Sequence, residues 1–360
     1  MDLSTSNIIG DLVRQYAPFS WVAAIVNGII ALVAVMAVGV GPAPILIWWE
    51  RKVAAFTQAR LGPMRLGPWG LLQTVADVLK LLFKELITPR GADKFIFFLA
   101  PALPLTASFL VLAVIPWDHN LQVANPGMGV PFVIAISGLG ILGSLVAGWA
   151  SNNKFALLGS LRSGAQMVSY EVSLSLIMLF VVLVSGTTDL REIVVNQQGP
   201  FWHWWIIKAP VLGFVAFVMY MISATAELNR APFDMVEAEQ ELTAGFHTEY
   251  SSTAFAMFFL AEYINLVATS ALASTFFLGG FLPFQIGIAG VDHLLMLIPG
   301  FLWMAMKILG LITLFMFFRW TYPRPRVDQL MMLEWKFLLP ANLILLALGA
   351  VFVAFGLIIP

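Results

Sequence analysis

The 360-residue chain contains no cysteine, which excludes disulfides, thiolate-held iron–sulfur clusters and CxxC redox chemistry within it. Charge is scarce as well. Only 11% of the residues are Asp, Glu, Lys or Arg, against about 25% in ordinary soluble domains. Neither sign dominates, because the formal net charge is −1, so nothing in the bulk electrostatics points to a nucleic-acid partner. The histidines (His119, His203, His247 and His293) are scattered without an HxxH or HxxxH pair, and no metal site is expected. Serine-nucleophile and phosphate-loop signatures are missing. The first 17 residues carry Asp2, Asp11 and a single Arg14, which does not read as a cleavable signal.

What the chain has in abundance is apolar sequence, 60% of the residues, much of it in runs near the roughly 20 residues that span a bilayer. The short alternating segments of a β-barrel do not dominate, so the expected fold is an all-α polytopic membrane protein. Eight spans are expected, over residues 21–49, 95–115, 131–150, 168–186, 205–226, 253–278, 296–318 and 337–359. Gly39, Gly41, Pro42 and Pro44 should kink the first or end its regular part. Residues 1–18 read as an N-terminal interfacial helix, with Ile8, Ile9, Leu12, Val13 and Tyr16 opposite Asp11, Arg14 and Gln15, ended by Pro18. The longest polar interval, 50–94, includes an amphipathic helix over 69–87. There Leu72, Val75, Leu79, Leu82, Phe83 and Leu86 face away from Gln73, Asp77, Lys80 and Lys84, so it should lie along the surface or against a partner. Trp48, Trp49, Trp202, Trp204, Trp205 and Trp320 sit near run ends, as an aromatic belt does. With no repeat and no soluble boundary, residues 1–360 read as one helical domain with a basic loop at 50–94 and an acidic loop at 227–252.

Lys and Arg collect on one side. Eight follow the first span, two the third, one the fifth and four the seventh, against Arg14, Arg191 and Lys208 opposite. By the positive-inside rule the basic loops are cytoplasmic and both termini lie outside. Most of these cations need no role beyond orientation. The basic loop nevertheless repeats Gly62-Pro63 and Gly67-Pro68 beside Arg60 and Arg65, imposing sharp turns that could frame a cleft faced by Arg51 and Asp77. The acidic loop gathers Glu227, Asp234, Glu237, Glu239, Glu241 and Glu249 around one cation, Arg230, and Glu262 follows inside the next span. Ionisable groups at that depth usually face a polar interior and serve proton or cation handling. The plain alternative is a solvated loop in which Arg230 pairs with Asp234 four residues on. Glu171 is either a charge at a helix N-terminus, favoured by the macrodipole, or part of a proton path. Lys307, deep in the seventh span, requires an interhelical partner or an altered protonation equilibrium.

Three stretches carry a resemblance: WWERKVAAFTQARLGPMRLGPWGLLQTVADVLKLLFKE, AGWASNNKFALLGSLRSGAQMVSYE and ELNRAPFDMVEAEQELTAGFHTEYSSTAFAMFFLAEYIN. Together they closely resemble the H subunit of respiratory complex I, the proton-pumping NADH:quinone oxidoreductase, whose mitochondrial counterpart is called subunit 1. The resemblance runs from about Trp21 to the C-terminus. It implies eight spans, a quinone chamber at the junction with the peripheral arm, and a line of acids leading from it into the membrane. Carried over by motif, Arg51, Arg60 and Asp77 would line the chamber or its entrance. Glu227, Glu237, Glu239, Glu241 and Glu262 would form the acidic path, with Glu171 on its continuation and Glu50 close by. Ubiquinone or another quinone would be the substrate, with no cofactor held in the chain itself. The partners implied are peripheral-arm quinone-site and iron–sulfur subunits, small membrane subunits, antiporter-like subunits and lipid, in the energy-conserving inner membrane of a bacterium. One departure stands out: the family's usual EGESEL reads Glu237-Ala238-Glu239-Gln240-Glu241-Leu242 here. Ala238 removes a glycine and its backbone freedom, which implies a stiffer loop.

Two other classes of function fit part of the sequence. A secondary proton or cation transporter would explain acids in broken spans, but no inverted halves are evident. A passive anchor for soluble redox subunits would explain the basic loops but not Glu262. The expected sidedness is open to a direct check. Cysteines introduced at Leu3 and Asn152 into this cysteine-free chain should react with an impermeant reagent from opposite sides of the membrane, and labelling of both from one side would overturn the topology.

Overall fold

Inside a bilayer each backbone polar group must find its partner within its own segment, so long apolar runs become helices. The computed structural model describes residues 20–209, 211–235 and 244–356. The interfacial helix expected over 1–18 lies outside them, as do Glu237, Glu239, Glu241 and the substituted positions Ala238 and Gln240. Among the described residues, seven helical stretches are long and apolar enough to cross a membrane, and an eighth, Leu212–Glu227, is apolar but shorter. The all-α, multi-pass expectation holds.

The first span is α1 (Ser20–Val40) continued by α2 (Pro42–Thr57). They are broken at Gly41, where Pro42 and Pro44 withhold two amide donors from the ladder. The chain remains helical well past Trp49, the expected end of the span, and this places Glu50, Arg51 and Lys52 on a helix instead of opening a loop. The loop helix is shorter than expected. Its regular part, α3, covers Leu72–Phe83, after a 3₁₀ turn at Pro68–Gly70. Thr74 is its buried residue, whereas Leu72, Val75, Leu79, Leu82 and Phe83 are exposed. α3 therefore packs on the protein through its more polar side and leaves its apolar stripe outward.

A short α4 (Lys94–Leu99) leads into α5 (Ala102–Val114), followed by α6 (Gly129–Ala150) and α7 (Lys154–Ser185). α7 begins 14 residues before the expected 168 and extends for 32 residues. Asn153 caps it, accepting a hydrogen bond from Phe155 N at 2.9 Å, and Gly186 ends it at φ 72°. Its first turns are rich in Gly and Ser, which reads as loop in isolation but suits close packing. At Gly159 an added Cβ would lie 2.7 Å from the Cα of Gly245, so the far end of the acidic loop rests directly on the α7 backbone.

The short α8 (Leu190–Val195) and α9 (Trp205–Lys208) precede α10 (Leu212–Glu227). α11 (Ser252–Phe277) is the most buried of the spans. It packs against α3, α5, α10 and α13, the span of Gly300–Thr321 that follows a short α12 (Ala289–Met296). The last span is composite: α14 (Val327–Met332), a π-helical turn over Leu333–Leu338, and α15 (Leu339–Ala354). It begins ten residues earlier than the expected 337 and lies along α7.

Candidate functional site: a buried charge network beside an acidic cavity

Three elements far apart in sequence converge on Glu50. α2 presents its carboxylate inward, 6% exposed. Arg230, from the turn after α10, donates through Nη1 to Glu50 Oε2 at 3.1 Å and through Nε to Glu262 Oε1 at 3.0 Å. From α13, Arg319 donates through Nη1 to Glu50 Oε1. Tyr263, beside Glu262 on α11, donates its hydroxyl to Glu50 Oε2 at 2.7 Å and offers its ring to the Arg230 guanidinium at 4.9 Å. Two acids thus meet two guanidiniums in the protein interior. Burial opposes the charge on Arg230, but the Glu50 and Glu262 carboxylates outweigh it and raise its pKa above the ordinary arginine range.

The network borders a cavity of about 160 Å³. Glu171, Glu227 and Glu262 line it, with Arg230, Asp234, His247 and Arg319. Glu227 ends α10 and faces the same cavity as Glu171. Glu171 accepts a hydrogen bond from Ser137 Oγ at 2.7 Å. Because α7 starts at Lys154, Glu171 is a mid-helix residue, and the N-terminal macrodipole account of it fails: the effect does not reach beyond the first turn. Burial pushes the pKa of His247 down to about 4, so at neutral pH it faces the acids as an uncharged ring. The plain alternative for the acidic loop also fails for Arg230. Asp234 accepts instead from Arg324 Nη2 at 2.8 Å.

Outside this interior, Arg51 points the other way from its neighbour Glu50 and pairs with Asp77 of α3 at 2.7 Å, both about two-fifths exposed. The Gly-Pro loop between them turns as the sequence requires, with Gly62, Gly67 and Gly70 at positive φ. A Cβ at Gly70 would fall 2.3 Å from Pro63 O, so the loop doubles back on itself. Lys52, which the charge count treats only as an orienting cation, is buried and donates Nζ to Pro63 O at 2.9 Å and Leu61 O at 3.3 Å. Arg60 is exposed on that loop and forms no ion pair among the described residues. Of Arg51, Arg60 and Asp77, the residues expected to line a chamber, the first and last are brought together and Arg60 stands apart. Glu237, Glu239 and Glu241 lie outside the described residues.

Two participants in the network, and one buried acid outside it, escape sequence reading. Arg319 and Tyr263 look like a span-end cation and a packing aromatic until Glu50 is placed between them. The third is Glu334, which the sequence places outside any span. It is completely buried in the last one. Lys307, by contrast, finds the interhelical solution its depth requires. Its Nζ donates to the carbonyls of Leu278, Gly280 and Leu282 at 2.7, 2.8 and 2.7 Å and lies 4.4 Å from the Trp204 ring. Those carbonyls follow the C-terminus of α11, where the helix dipole favours a cation.

Known proteins bear on this geometry. A family model described as NADH dehydrogenase matches residues 29–350. The chain is 44% identical over 357 residues to the H subunit of NADH-quinone oxidoreductase from Bacteroides thetaiotaomicron, covering 98% of this chain and 97% of the relative. It is 46% identical over 330 residues to the protein of the same name from Bacteroides fragilis, covering 91% and 90%. Another from Brevibacillus brevis is 46% identical over 327 residues, covering 91% and 93%.

Removing one member of a buried ion pair strands the other, at a cost of about 3–5 kcal/mol. Arg230→Gln should therefore lower the thermal unfolding temperature markedly, or abolish recovery of folded protein, with Arg230→Lys intermediate because one ammonium cannot fork to both acids. An Arg230→Gln protein as stable as the parent would show that Glu50 and Glu262 do not depend on it.

Proposed function

Because the chain belongs to the NADH dehydrogenase family that includes the H subunit of NADH-quinone oxidoreductase, and is a membrane subunit of such an enzyme, we propose that it helps form the quinone site and couples quinone reduction to proton movement in the membrane. It would join the peripheral arm, whose subunits deliver electrons, to the membrane arm. Sidedness follows the charge count, with basic loops cytoplasmic.

The observation that carries this reading is the opposed direction of two consecutive residues. Arg51 faces the basic loop and Asp77, and Glu50 enters the buried network that borders the acidic cavity. A charge that develops near Arg51 therefore lies one residue from a group tied through Arg230 to Glu262. Reducing a quinone to the quinol takes two electrons and two protons. As negative charge builds on the quinone oxygens, the cations beside it gain a competing partner, and Glu50, Arg230 and Arg319 must redistribute their contacts. The acids lining the cavity, Glu171 and Glu227 among them, would answer by sharing and moving protons as a coupled set. A passive anchor would have no use for Glu171, Glu227 and Glu262 around one internal space.

The apolar stripe of α3 and the exposed loop carrying Arg60 form the face from which partner subunits and the quinone would approach. Arg51→Ala or Asp77→Asn in the assembled enzyme should reduce native-quinone turnover several-fold, while NADH oxidation by an artificial acceptor persists. Normal rate and affinity for native quinone in a fully assembled variant would remove that residue from the site.

A further inference from the structure

α7 turns two faces to two different surroundings within one helical turn. Glu171 faces the cavity, and Tyr170 and Ser173 face the last span. There the Tyr170 hydroxyl donates to Leu330 O at 3.1 Å, and the Ser173 hydroxyl donates to Glu334 Oε1. Glu334 is 0% exposed, and its second oxygen, Oε2, is buried without a hydrogen-bond partner among the described residues. It belongs to the π-helical turn Leu333–Leu338, a geometry that recurs at functional sites because it sets side chains off the regular helical register. Farther along the same span, Asn342 is also 0% exposed and both its amide atoms lack partners there. Orphaned polar atoms of this kind are what buried water satisfies.

Among the described residues no cation meets Glu334. On α7 the titratable neighbour is Tyr170, whose hydroxyl is engaged by Leu330 O. On α10 the ionisable residue is Glu227, which lines the cavity. Arg326 and Asp328 at the start of the last span, and Lys336 in the π turn, are exposed. A carboxylate sealed from solvent with one hydroxyl donor and no counter-charge bears the full cost of desolvating an ion, whereas the neutral acid leaves only ordinary hydrogen-bonding groups to satisfy.

We propose that the seam between α7 and the last span holds a second proton site, in which Glu334 sits as a neutral carboxylic acid against Ser173, apart from the Glu171, Glu227 and Glu262 cavity. Its ligand is an exchangeable proton, and it does not depend on the function proposed above. α7 connects the two sites, since it holds Glu171 in one and Ser173 in the other.

The test is infrared spectroscopy of the assembled complex carrying this chain, with isotopically labelled glutamate carboxyls. At neutral pH Glu334→Gln should remove one C=O band of a protonated carboxylic acid, a band that shifts on transfer to D₂O, and leave the ionised-carboxylate bands unchanged. Ser173→Ala, which keeps the acid but removes its hydroxyl partner, should shift the same band to higher frequency without removing it. Loss of an ionised-carboxylate band in Glu334→Gln would overturn the proposal. If that variant does not assemble, Ser173→Ala decides: a protonated-acid band that does not move in Ser173→Ala would overturn it equally.

Discussion

A buried carboxylate and a buried guanidinium, Glu50 and Arg230, with the half-buried Glu262 and Arg319 beside them, are the constraint around which this molecule is arranged. Each ion alone would cost several kcal/mol to bury. Glu50 is tolerable inside the protein because Arg230 and Arg319 reach it, with Tyr263 supplying a further donor, and Arg230 is shared with Glu262. That requirement fixes where the pieces must be. α2 has to continue past the end of an ordinary span to carry Glu50 inward, the turn after α10 has to bring Arg230 between Glu50 and Glu262, and α13 has to end where Arg319 can meet Glu50. The cavity is the space bounded by this convergence.

The same arrangement gives the proposed coupling its physical content. In this network two acids share the Arg230 guanidinium, and the cavity beside it is lined by two further acids, Glu171 and Glu227. Arg51, adjacent to Glu50 on α2, pairs with Asp77 of α3, and under the proposed function a change at the loop would reach the network through this one helix. Lys52 stiffens this connection by fastening the Gly-Pro loop to the helix that carries Glu50.

The all-α membrane class was legible, with seven of the eight expected spans long enough to cross and the eighth, Leu212–Glu227, shorter, because the bilayer imposes a length and a composition that any sequence window displays. The turns at Gly62 and Gly67 were legible because Gly-Pro restricts the backbone locally. The partners of Glu50 were not: Arg230 and Arg319 lie 180 and 269 residues away, and no local pattern encodes such a distance. Span beginnings were misread where packing outweighs hydropathy. The Gly- and Ser-rich start of α7, which packs closely on its neighbours, and the polar start of the last span, capped by Arg326 and Gln329, look like loops but are helical, and this misplaced Glu171 and hid Glu334. The pairing of Arg230 with Asp234 was plausible from spacing alone. Two buried acids made the stronger claim on that cation.

The central claim is that the acids around the cavity carry protons in step with quinone chemistry and are more than structural. The most direct measurement compares proton flux with quinone turnover in vesicles holding the assembled enzyme with Glu227→Gln or Glu171→Gln, changes outside the Arg230 network that preserve volume and hydrogen bonding but abolish titration. The account predicts normal assembly with quinone-linked turnover and proton flux both reduced. Parental turnover and pumping in both variants would contradict it.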